Sequence, residues 1–175
     1  MGFKEFYHYK IFLPVSSFLH NVFFWIFHPH KLCQTLRVKK MIEETAVRYR
    51  PESNLRIVFV REEIRRWNPI RDKVGDWRPW VITFLARGRK DDCDGAAIFG
   101  KWLFELIGYE ADIYSLMSES GSHAIAVTRA TSGVRYLVTN NELLRIPDRH
   151  LSDWKGWAKR LWSPHVVYQK IIKTN

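Results

Sequence analysis

The segment from Asp92 to Gly108 constrains this chain more than any other. Cys93, Ala96, Ala97, Gly100, Leu103, Phe104 and Ile107 recur at the spacing of one helical face. Asp91 and Asp92 stand before the run as capping residues, and Gly108 stands where a helix C-terminus takes a left-handed residue. A helix so apolar on one face must be covered, and apolar segments follow at once. Ala111 to Met117, His123 to Thr128 and Val134 to Thr139 read as strands, the last two joined by a tight turn at Ala130-Thr131-Ser132-Gly133. Ser118 to Ser122 reads as a polar loop. The pattern is that of an α+β domain, a buried helix laid on a small antiparallel sheet.

Around this centre the reading is coarser. Lys31 to Arg50 has helical periodicity and stops at Pro51, whereas Leu55 to Val60 is a branched run that reads as a short strand. Glu62 to Trp67 reads as one helical turn, Gly75 to Trp80 as a loop, and Val81 to Leu85 as a helix. Trp154, Trp157, Trp162 and Tyr168 lie in a basic tail that reads as one or two further helices. Aromatic residues crowd positions 1–30, which are taken as a partner-facing or membrane-facing arm ahead of a domain spanning 31–175. Its most apolar part, Ile11 to Phe27, is short for a membrane span and is interrupted by Pro14, Ser16, Ser17, His20 and Asn21. No small-residue cleavage site follows, and Phe6 breaks the myristoylation pattern.

Composition narrows the classes. Among 175 residues, 46% are apolar, which suffices for a core, and 26% are charged, which argues against disorder. A net charge of +10 attracts acidic partners: nucleic acid, anionic lipid or an acidic polymer. The basic residues form no periodic stripe and no nucleic-acid motif is present, so specific nucleic-acid binding is not expected. Cys33 and Cys93 lie in different contexts and read as free thiols of a reducing compartment such as the cytoplasm, with membrane or virion association open. His8, His20, His28 and His30 have no metal-ligand spacing, and no cofactor is implied.

The chemistry centres on Cys93. At a helix N-terminus, unpaired N–H groups and the helix dipole favour a thiolate, but Asp91, Asp92 and Asp94 oppose it unless they cap the helix or point away. A cationic neighbour is therefore needed, and His123 is the candidate, since it alone among the histidines opens an apolar strand. A third group should orient its ring. Three turn geometries set His123 across from Asn140, Asn141 or Glu142. A slip of one residue moves a side chain to the opposite face. Asn140 is the preferred orienting residue, although Asn140-Asn141 also suits ordinary turn chemistry.

These residues resemble a family. Asp92-Cys93-Asp94-Gly95-Ala96-Ala97, with Leu103-Phe104-Glu105-Leu106-Ile107-Gly108-Tyr109-Glu110-Ala111, is similar to the nucleophile helix and following strand of the transglutaminase-like superfamily, in particular its bacterial cysteine peptidases. Ser122-His123-Ala124-Ile125-Ala126-Val127 resembles their histidine strand and Tyr136-Leu137-Val138-Thr139-Asn140 the strand after it. Gly75 to Trp80 resembles the Trp-containing segment upstream of the cysteine, and the whole resemblance covers roughly residues 40–148. Two positions depart from it. Gly95 stands where a second acidic residue is usual, and the family's aspartate falls on Thr139, which leaves Asn140 to serve as an amide. The resemblance implies a papain-like core, a Cys93-His123-Asn140 site, and amide hydrolysis or transamidation of a peptide or protein through a thioester. The oxyanion would be held by the Cys93 N–H and an upstream donor that Trp77 or Trp80 supplies or shapes.

Two other readings fit parts of the sequence. Asp92-Cys93-Asp94-Gly95 also resembles the Asp-Cys-Ser-Gly motif of the NlpC-type cell-wall peptidases, whose helix does not usually run into a Leu-Gly-Tyr turn. Alternatively, the aromatic arm and aromatic-basic tail suit a structural or assembly protein that keeps a thiol fold as scaffold.

Overall fold

The computed structural model describes residues 13–49, 53–70, 78–119, 121–129, 133–161 and 170–174. In chain order these form α1 (Leu13–Phe27), α2 (Leu32–Tyr49), α3 (Ser53–Arg65), the short strand β1 (Asn68–Pro69), α4 (Val81–Ala86), the short strand β2 (Lys90–Asp91) and α5 (Cys93–Leu106). Strands β3 (Ala111–Ser118), β4 (Gly121–Thr128), β5 (Tyr136–Thr139) and β6 (Glu142–Arg145) follow, then α6 (Trp154–Arg160) and β7 (Lys170–Lys173). The five longer strands make one antiparallel sheet in the order β6-β5-β4-β3-β7. This is the α+β architecture expected from the sequence, with the cysteine helix packed on a small antiparallel sheet and a helical N-terminal segment.

The period of two in each strand divides its side chains between two layers. Ala111, Ala126 and Val138 pack against Phe99, Leu103 and Phe104 of α5, and α2, α3 and α4 close over the same cluster with Ile42, Phe59, Val60 and Phe84. Leu116, Ile125, Val127 and Leu137 face the other way and are covered by Trp154 and Ala158 of α6. The sheet is thus buried on both sides near its centre, while α5 lies between sheet and helices.

Two glycines let α5 sit this close. A Cβ on Gly100 would lie 2.7 Å from Val138 Cγ1, and one on Gly95 would lie 2.5 Å from Asp91 Cβ. Gly95 therefore yields its space to Asp91, which is fully buried and meets Arg87 at 3.3 Å.

Leu55 to Val60 is helical rather than extended, and it shares α3 with the turn expected at Glu62. Phe59, Val60, Glu63 and Ile64 are buried along one helical stripe, and Glu62–Arg65 and Glu63–Arg66 pairs support its last turn. Packing against α2 and α5 overrides the strand preference of a branched run. Ser118 to Ser122 closes as a tight hairpin with Ser118 opposite Gly121. Among the described residues of the tail there is one helix, α6, and then a strand; Trp162 and Tyr168 lie outside the described residues. Lys170–Lys173 completes the β3 edge, with Lys173 of β7 at 2.9 Å from Asp112.

Candidate active site

Cys93 opens α5 because Asp92 caps it. The Asp92 carboxylate accepts the Asp94 N–H at 3.0 Å, as an N-cap residue should. The buried Asp91 fixes the entry to the helix by accepting the Asp92 N–H at 2.9 Å. β1 and β2 hold the same corner, since the Ile70 N–H donates to the Asp91 carbonyl at 3.0 Å.

The sulfur of Cys93 reaches the sheet. It accepts the backbone N–H of Ala124 at 3.4 Å, and it packs with Ala97, Ile113 and Ala124. Ala124 is paired with Ser115 of β3, while the ladder from β4 to β5 begins only at Ala126 opposite Val138. The thiol therefore sits at the seam where β5 parts from β4, beside the residue that follows His123.

The register of β4 on β5 decides which side chain meets the imidazole. Ala126 opposes Val138 and Val127 opposes Leu137, so His123 and Thr139 lie on the same face and Asn140 on the other. Of the three registers the turn permits, this is the one that carries His123 toward Asn141. Thr139 then reaches back along the diagonal, with its Oγ1 at 2.7 Å from His123 Nε2. Asn140 and Asn141 instead make the two-residue turn between Thr139 and Glu142, and Asn140 takes a φ of 49° there. Asparagine tolerates that left-handed conformation better than most residues, so the turn explains its presence.

Of the sequence candidates, Cys93 and His123 come to neighbouring positions on α5 and β4, and Asn140 goes to the turn. Thr139, which the sequence reading set aside in favour of Asn140, is the side chain that meets the ring. Trp77 lies outside the described residues. The Trp80 N–H is engaged by Asn21 Oδ1 at 2.7 Å, and its ring is exposed against Phe18. The Trp80 backbone N–H is therefore already taken and does not serve as an oxyanion donor. Among the described residues no three His, Cys, Asp or Glu side chains gather as a metal ion would need.

No family profile and no curated protein matches this chain. Among solved structures it is similar to Legionella pneumophila LapG, at 15% identity and a TM-score of 0.44, over 53% of this chain and 56% of that one. The chain thus aligns with about half of LapG, and the relationship is a distant one.

Electrostatics differ from the simple helix-terminus expectation. Burial pushes the Cys93 thiol up to about 12, and the Asp94 carboxylate adds to this. The Ala124 N–H works in the opposite sense and Asp92 raises the value further. Burial alone lowers the His123 imidazole to about 4. At neutral pH the resting site thus holds a neutral thiol and a neutral imidazole. Both shifts oppose a preformed thiolate–imidazolium pair.

Proposed function

We propose that this chain is a thiol-dependent amide hydrolase of the cysteine-peptidase kind, acting on a peptide or protein. Cys93 is the nucleophile and His123 the general base. Thr139 takes the orienting role that the sequence suggested for Asn140. Two contacts support the reading: the Cys93 sulfur accepts the N–H of Ala124, the residue after His123 on β4, and the His123 ring meets Thr139 through Nε2.

In this mechanism Cys93 attacks the amide carbonyl while its proton passes to His123 through Nδ1. The developing oxyanion is stabilised by the Cys93 N–H at the start of α5. The tetrahedral intermediate collapses, the C–N bond breaks, and the imidazolium returns the proton to the leaving amine. Water, deprotonated by the same imidazole, then releases the acid from the thioester.

A non-catalytic scaffold on the same fold is the second reading. The high thiol value and the low imidazole value favour it, since neither group is charged at rest. Hydrolysis of mixed-sequence peptide amides separates the two. The enzyme reading expects turnover that Cys93→Ala abolishes and His123→Ala reduces by about a hundredfold or more. Turnover that survives both changes, or none in the unaltered chain on any peptide pool, supports the scaffold.

A further inference from the structure

Helix α1 is mounted with its polar stripe inward. Ser17, Asn21 and Trp25 recur every four residues and face the domain. Asn21 is completely buried, accepts the Trp80 N–H at 2.7 Å, and donates to the Arg78 carbonyl at 2.9 Å. The Ser17 hydroxyl accepts the Arg78 N–H at 2.7 Å, and the Trp25 indole donates to Thr83 Oγ1 at 3.1 Å. These bonds fix the helix about its own axis. Rolling it to bury its apolar side would strand the Asn21 amide and the Arg78 and Trp80 backbone groups that it satisfies.

The opposite side is apolar and open. Val15, Phe18, Leu19, Phe23, Ile26 and Phe27 are all exposed, Phe27 by 72%, and they follow the spacing of a single helical stripe. No charged residue occurs between Leu13 and Phe27. Exposed Trp80 extends the patch, with its ring edge-on to Phe18 at 6.0 Å.

We infer that this outward face of α1 lies in the interface of an anionic lipid bilayer, parallel to its plane. The fifteen described residues of α1 span about 22 Å, against a hydrocarbon core of about 30 Å. Among the described residues no helix is long and apolar enough to cross a membrane. Charge selects between occupants. A net charge of +10 draws the chain to anionic headgroups and opposes a second copy of itself, and α1 offers no acidic residue to offset that repulsion. The inward bonds keep the apolar stripe presented, so that insertion needs no rearrangement of the domain.

Sedimentation of the full chain tests this, with vesicles of phosphatidylcholine alone and of phosphatidylcholine mixed with phosphatidylglycerol. The chain is expected to pellet with the mixed vesicles and poorly with the neutral ones. Phe23→Ser with Phe27→Ser, both outside the inward contacts, should weaken that binding by about tenfold or more at unchanged melting temperature. Brominated acyl chains in the mixed vesicles give a readout on the unaltered chain, through quenching of tryptophan emission. Failure to pellet, pelleting unaffected by the double change, or bound chain without quenching would each overturn the inference. So would a dimer in solution that the double change dissociates, since the face would then belong to a second copy.

Discussion

At the scale of single residues, the proposed site turns on a hydroxyl. Thr139 Oγ1 lies 2.7 Å from His123 Nε2 and brings no negative charge that would stabilise an imidazolium. Thr139→Asp should therefore raise the His123 pKa by one unit or more, visible by NMR, and raise kcat/KM with it. Thr139→Val keeps the shape, removes the hydrogen bond, and should lower kcat/KM by about tenfold. Burial of a neutral imidazole also has a stability consequence. In the unfolded chain His123 takes up a proton near pH 6.5, whereas in the folded chain it does so only near 4. Between those values the unfolded state binds more protons, so stability falls as pH is lowered through that window. Urea melts at pH 7 and pH 4.5 should differ by about 2 to 3 kcal/mol from this group, and His123→Gln should flatten that difference. The placement of Cys93 at the start of α5 and of His123 near the start of β4 was legible because each lies at a clear element boundary. The Thr139 contact with the His123 ring was not, because the choice between Thr139 and Asn140 is a choice of strand register, and the turn residues permitted three registers.

At the scale of elements, α5 does most to position the site. Its capping aspartate, its two close-contact glycines and its apolar stripe set where Cys93 meets β4. Gly100→Ala should push α5 off Val138 and destabilise the fold by about 1 to 3 kcal/mol in denaturant melts, a cost of overpacking. The displacement would also move the thiol from the Ala124 N–H, so Cys93 chemistry should weaken along with stability. α2, α5, β3, β4 and β5 were legible because their apolar periods are long and end at glycine, proline or a turn. α3 was misread over Leu55 to Val60, where five branched and apolar residues around Arg56 fit a strand equally well until Glu63 and Ile64 are counted on the same stripe. β7 was invisible because four residues acquire strand structure only by pairing with β3, a partner more than fifty positions away.

At the scale of the whole molecule, four layers share the work. The helices α2 to α4 cover α5, α5 covers one face of the sheet, and α6 covers the other. The thiol lies at the seam that the sheet leaves between β4 and β5, and α1 carries an apolar face on the outside, tied down by Asn21. A cleft of about 510 Å³ lies at the other end of α5, lined by Lys101, Glu105, Tyr109, Glu110, Asp112 and Arg129. Its distance from Cys93 along the helix separates it from the proposed chemistry. The most direct test of that chemistry uses the exposed Cys33 as an internal standard. The full chain is treated with an activated ester, and acylation at each cysteine is followed by mass spectrometry. The account predicts that Cys93 acylates faster than Cys33 despite its burial, and that His123→Ala removes the advantage while leaving Cys33 unchanged. Acylation of Cys93 no faster than that of Cys33, or an advantage that persists without His123, would contradict it.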